Sequence, residues 1–128
     1  VVGVLVKSGV SGRAELVVAW QDTAAAASSG DVPVLGTPRV VALCEEAAVA
    51  ALAGLLDGAR TSVGSRVEIA HLAPVAVGSR VVALASLERH EGRRLVFSVS
   101  VSDGCGLVAV GKLTRVVVER DQFLDKAR

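Results

Sequence analysis

Residues 38–56 spell a helix with almost no wet side. Val40, Val41, Leu43, Cys44, Ala47, Ala48, Ala51, Leu52 and Leu55 cover most of its circumference, and a helix apolar nearly all round is one that other structure wraps. Its start is written in Gly36-Thr37-Pro38: a hydroxyl at the cap, then a proline at the first helical position, where its missing N–H costs nothing. Asp57-Gly58 closes it. The same helix carries a carboxylate, Glu45, at its middle and a second, Glu46, beside it. Spacing alone leaves two readings open. Either the two acids form the helix's only wet patch, or Glu45 is held inside, where desolvation prepares carboxyl groups as general acids or bases.

The rest of the chain supplies the wrapping. Residues 12–20 are rich in β-branched types and read as a strand, and 22–28 are alanine-rich, with Asp22 or Thr23 able to cap a short helix. Residues 29–33 are loop chemistry. After the long helix every segment is strand: 61–72, 80–88, 95–102 and 107–119, with turns at 73–78 and 103–106 and a hairpin connection at His90-Glu91-Gly92-Arg93. Gly64 inside the first of these marks a bulge or a close approach. In 95–102, Leu95, Phe97, Val99 and Val101 alternate with Val96 and three serines, the pattern of a sheet with one covered face. A helical turn ends the chain after residue 119. Sequence neighbours tend to be sheet neighbours, so the expected fold is α+β: one curved antiparallel sheet of about five strands around one apolar helix.

Composition narrows the function. At 128 residues the chain makes one domain, residues 1–128. It is 52% hydrophobic, with a mean hydropathy of +0.55, and this excess points to a subunit interface that supplements the core. No apolar run is long enough to span a bilayer. The apolar start, residues 1–6, is short and lacks the flanks of a signal peptide, so the chain reads as cytoplasmic, where Cys44 and Cys105 stay free thiols. A net charge of +1 and 2% aromatic residues give no case for nucleic acid or an anionic membrane. No Cys/His spacing matches a metal site, and no cofactor motif is present.

Thr37 opening the helix, Glu45 eight positions on, Gly64 and His71 on the next strand (VGSRVEIAH), the run from His71-Leu72-Ala73-Pro74 to Gly78, and the closing strand from Gly111 form a set. In that set the chain, from about Gly12 to Phe123, resembles the hot-dog fold thioesterases, in the branch containing fluoroacetyl-CoA thioesterase. The resemblance implies a homodimer or larger homo-oligomer that hydrolyses an acyl-CoA thioester at the subunit interface. It implies catalytic roles for Thr37, Glu45 and His71, a pocket-lining role for Gly64 and a supporting role for Arg115. The sequence departs from that enzyme in two places. Ser28-Ser29-Gly30-Asp31-Val32-Pro33 stands where it has lid-forming phenylalanines, and Glu46 replaces an apolar neighbour. The implied activity is therefore hydrolysis of a short or compact acyl-CoA, without fluoroacetyl selectivity.

The residues support specific roles within this reading. Glu45 activates water against the thioester carbonyl or attacks that carbonyl itself. His71, on the same face as Val67 and Ile69, shuttles a proton to the leaving thiolate or orients Glu45; as a lone histidine it can equally be structural. Thr37 is an N-cap that also hydrogen-bonds substrate or water. It stands roughly 12 Å along the axis from Glu45, so direct contact is not required. Gly36 and its neighbours offer unpaired N–H groups to an oxyanion. Glu46 and His90 read as surface, and Cys44, turned about 100° from Glu45, as core. Arg39, Arg66, Arg80, Arg93, Arg94 and Arg115 are the candidates for the CoA phosphates. Two other readings use the same fold: a non-catalytic acyl-CoA-binding dimer, and an enoyl-CoA hydratase, which wants a histidine–aspartate pair that His71 lacks.

Overall fold

The computed structural model describes residues 9–127, so the apolar start at 1–6 lies outside the described residues. The order is β1 (Ser11–Val17), a single 3-10 turn (Trp20–Asp22), α1 (Thr37–Ala51), β2 (Arg60–His71), β3 (Arg80–Glu91), β4 (Arg94–Ser102), β5 (Leu107–Glu119) and α2 (Arg120–Asp125). The five strands form one antiparallel sheet in the order β1-β3-β4-β5-β2. Sequence adjacency therefore misplaces one strand. β2 skips β3, pairs with β5, and becomes an edge.

The core lies between α1 and the inner face of the sheet. Val40, Leu43, Cys44, Ala47 and Ala48 of the helix are fully buried against Val81, Ala83, Ala85, Leu95, Phe97 and Val101. Each large apolar side chain buried in this way contributes about 1.5–3 kcal/mol. The small residues have a purpose. A Cβ on Gly12 of β1 would run into the backbone of Ala47 and Ala51, so a glycine there lets the helix lie directly on the strand.

Three local expectations are revised. The helix ends at Ala51, not residue 56, because Leu52 leaves helical geometry and Gly54 turns left-handed at φ +78°. Its cap is Gly36 and Thr37 is the first helical residue, so the threonine hydroxyl is released from capping. Residues 22–28 form no helix. Asp22 ends the 3-10 turn, and Thr23 and Ala24 pair with Leu35 and Val34 across a flap whose tip carries Ser28 at φ +57°. The flap wins because Thr23 spends its hydroxyl on Trp20 O and Ala26 N, and Val34 and Leu35 hold its far side to residues 75–76.

Candidate active site

β2 carries the site on its inner face, and a bulge makes that possible. Cross-strand partners share a face, and the register of β2 with β5 shifts between Gly64 and Arg66. Gly64 lies opposite Arg115 and His71 opposite Ala109, both inward-facing positions. Seven residues apart on a regular strand, Gly64 and His71 would face opposite sides of the sheet. The extra residue brings both to the inner face. It also splits Val63 from Val67 and Ile69, which a regular alternation would have kept together.

Two clusters result. At the near end of β2, Arg115 Nη1 donates to Glu45 Oε2 at 3.4 Å. The same guanidinium is locked by Ser62, whose hydroxyl accepts from Nε at 2.8 Å and whose carbonyl accepts from Nη2 at 2.9 Å. Gly64 completes the notch. A Cβ at that position would collide with Glu45 Oε2 and lie 3.7 Å from Arg115 Nη1. The Arg115 side chain is only 9% exposed, whereas that of Glu45 keeps 36%, so the carboxylate is half-open to solvent in the single chain. Burial pulls the Arg115 guanidinium below its ordinary value, and the Glu45 charge opposes that shift.

At the far end, Thr37 Oγ1 lies 2.8 Å from His71 Nδ1. Either atom can donate, according to the imidazole tautomer. The other nitrogen of the ring, Nε2, is shielded from solvent and has no hydrogen-bond partner among the described residues. Buried polar atoms are nearly always paired, so this one is ready for a group brought to it. A pocket of about 300 Å³ opens beside the pair, lined by the flap, by Gly36 and by residues 72–74.

The sequence-selected residues therefore divide. Thr37 meets His71; Glu45 meets Arg115 and Gly64; no hydrogen bond joins the two groups among the described residues. Gly36 lines the pocket, but its N–H is already taken by Asp22 O and is no oxyanion donor. Cys44 is core packing, and burial first, then the Glu45 charge, pushes its thiol up to about 11. Glu46 and His90 are exposed as expected.

Ser62 escaped the sequence reading, and Asp22 and Arg39 were read there as a helix cap and a phosphate candidate, not as partners. Ser62 fixes Arg115, and nothing in the strand pattern distinguishes it. Asp22 and Arg39 clamp the flap to the helix: Arg39 Nε donates to Asp22 Oδ1 at 3.1 Å and Nη1 to Glu46 Oε2 at 2.6 Å. Burial opposes the Arg39 charge, but the bonds and charges of Glu46 and Asp22 outweigh it and raise its value. The seven-residue spacing of Arg39 and Glu46, two helical turns, was the available signal.

The model of the fluoroacetyl-CoA-specific thioesterase family matches residues 18–121. The chain belongs to that family. This member is 35% identical to the fluoroacetyl-CoA thioesterase of Streptantibioticus cattleyicolor over 95 residues, 74% of this chain and 68% of the relative. In structure it is similar to the fluoroacetyl-CoA thioesterase FlK, with a TM-score of 0.89, 28% identity and 94% of each chain covered. A mutant of FlK has been solved with fluoroacetate and CoA. A thioesterase-superfamily member from Thermus thermophilus matches with a TM-score of 0.86 at 29% identity, over 93% of this chain and 88% of the other. The curled five-stranded sheet around one helix is thus the hot-dog fold, and the chain is by family a thioester hydrolase.

Proposed function

We propose that this family member hydrolyses a short or compact acyl-CoA to the free acid and CoA, at a site that two copies complete. One observation carries the reading: two polar half-sites, Glu45–Arg115 and Thr37–His71, lie at opposite ends of one face of an edge strand. An exposed edge is a template for pairing. Twofold pairing of β2 with a second β2, centred on Val67, sets Arg66 opposite the second copy's Glu68. Centring on residue 66 or 68 sets like charges face to face. In the Val67 register, residue 64 stands opposite residue 70 of the other copy, which brings His71 and its Thr37 beside Glu45. The carboxylate and the unpartnered imidazole nitrogen then share one cleft, twice per dimer.

The chemistry follows from that cleft. Glu45 takes a proton from water as the water oxygen bonds to the acyl carbon. Thr37, through its hydroxyl, stabilises the oxyanion. The C–S bond then breaks, His71 delivers a proton to the CoA thiolate, and the proton taken up by Glu45 passes back to the imidazole through water as the acid leaves. Arg115 and Ser62 hold Glu45 in line. Direct attack by Glu45 to form a transient anhydride uses the same carboxylate, and trapping with hydroxylamine distinguishes it. A cytoplasmic setting agrees with the free thiols of Cys44 and Cys105, and no helix among the described residues is long and apolar enough to cross a membrane.

Glu45→Gln is the deciding variant. Thiol release from an acyl-CoA panel is expected to fall at least about a hundredfold, with the melting temperature little changed. Binding of acyl-CoA by wild type without thiol release would make the protein a carrier. Loss of enoyl absorbance would make it a hydratase.

A further inference from the structure

The pocket beside Thr37 and His71 has a composition that selects a ligand. Its walls are Ala24, Val32 and Val34 from the flap and Leu72, Ala73 and Pro74 from the segment after β2, with Ser29 at the rim. Every wall residue is small or aliphatic, and Thr37 and His71 are the polar groups at its base. Within one chain no lysine, arginine, phenylalanine or tryptophan lines it among the described residues, and the His71 imidazole is its one aromatic ring. A carboxylated or phosphorylated acyl group would find no lysine or arginine there. Pockets that take small molecules are largely apolar, with a few placed polar groups, and this one has its polar groups at one end.

Size gives the second constraint. The pocket holds about 300 Å³, and a heavy atom the size of water occupies roughly 30 Å³. A two-carbon acyl group leaves most of that space to water, with the half-exposed walls Val32 and Leu72 still uncovered.

We infer that the pocket takes a saturated aliphatic acyl chain of roughly four to eight carbons, so that the short acyl-CoAs it prefers are aliphatic ones longer than the acetyl or fluoroacetyl esters. The inference rests on the thioesterase reading and on the acyl group lying beside Thr37. Each methylene buried contributes roughly a fourfold gain in kcat/KM until the pocket is full.

The test is thiol release from acetyl-, butanoyl-, hexanoyl-, octanoyl- and succinyl-CoA with the wild-type protein. The expected result is a rise in kcat/KM of roughly fourfold per methylene from two carbons upward, a maximum between four and eight, and succinyl-CoA at least tenfold below hexanoyl-CoA. Ala24→Phe, which fills the pocket, is expected to lower the hexanoyl-to-acetyl ratio at least tenfold. Val32→Phe, on the exposed side of the flap, repeats the test if Ala24→Phe lowers the melting temperature. Thiol release that is flat or falling with chain length, or an unchanged ratio in the folded variants, overturns the inference while leaving the thioesterase reading standing. Release from no acyl-CoA at all overturns both.

Discussion

Gly64 shows how little room a site of this kind leaves. The glycine is required here by contact, since any Cβ would occupy the place of Glu45 Oε2. Gly64→Ala is expected to push the carboxylate out of line by about an ångström and lower kcat about a hundredfold, with a smaller change in KM. Steady-state kinetics with an unfolding curve check it; equal kcat in a folded variant would remove Gly64 from the site. Arg115 is the complementary case. Three hydrogen bonds to Ser62 and Glu45 fix a guanidinium that burial disfavours, so its charge is retained because the carboxylate and the Ser62 oxygens face it.

At the scale of elements, the flap and the sheet answer to different forces. Asp22 binds both ends of the flap: its Oδ2 accepts from Ala19 N at 2.8 Å, and its carbonyl accepts from Gly36 N at 2.9 Å. Asp22→Ala removes the side-chain bonds and is expected to cost about 2 kcal/mol and to raise KM. Glu46→Gln, which breaks only the exposed arm of the Arg39 clamp, is expected to cost under about 0.5 kcal/mol. Denaturant melts of the two variants separate these outcomes. On the outer face of the sheet, Ser98 Oγ donates to Glu88 Oε2 at 2.7 Å and Lys112 Nζ to Oε1 at 3.0 Å, which lower the Glu88 value, the serine bond most. A depressed carboxylate lends stability above its unfolded pKa and loses it as the pH falls through the folded one. Ser98→Ala should therefore melt slightly below wild type at pH 7, and the two should converge when both are measured near pH 2.

The whole molecule depends on what lies across the β2 edge. If two copies build each site, a chain with Glu45→Gln and a chain with His71→Ala are each inactive alone. Mixed and allowed to exchange, they form heterodimers in which one site has both native residues. Recovered thiol release, up to about half the wild-type rate per heterodimer, is the expected result; no recovery after verified exchange would place the complete site within one chain. Val67→Lys, which puts like charges together at the twofold, should yield monomers by light scattering and lose turnover with the interface.

The residues determined a good deal by themselves. A helix with no polar side had to be wrapped, and the strands that follow alternate clearly enough to supply the wrapping. Glu45 stood out as a carboxylate in the middle of an apolar helix and Gly64 as a break in a strand, whereas Thr37 and His71 took site roles only through the family resemblance. Gly64 marked the bulge, as the register shift after it bears out, but local patterns could not show that the shift turns Gly64 and His71 to the same face, nor which strands pair, since β2 joins β5 across two intervening strands. The flap was equally hidden: its alanines have high helix propensity, and only Thr23, Asp22 and the contacts of Val34 and Leu35 with residues 75–76 override it. Periodicity records which side chains avoid water; long-range pairing and register depend on backbone hydrogen bonds between distant segments, which no single stretch of sequence contains.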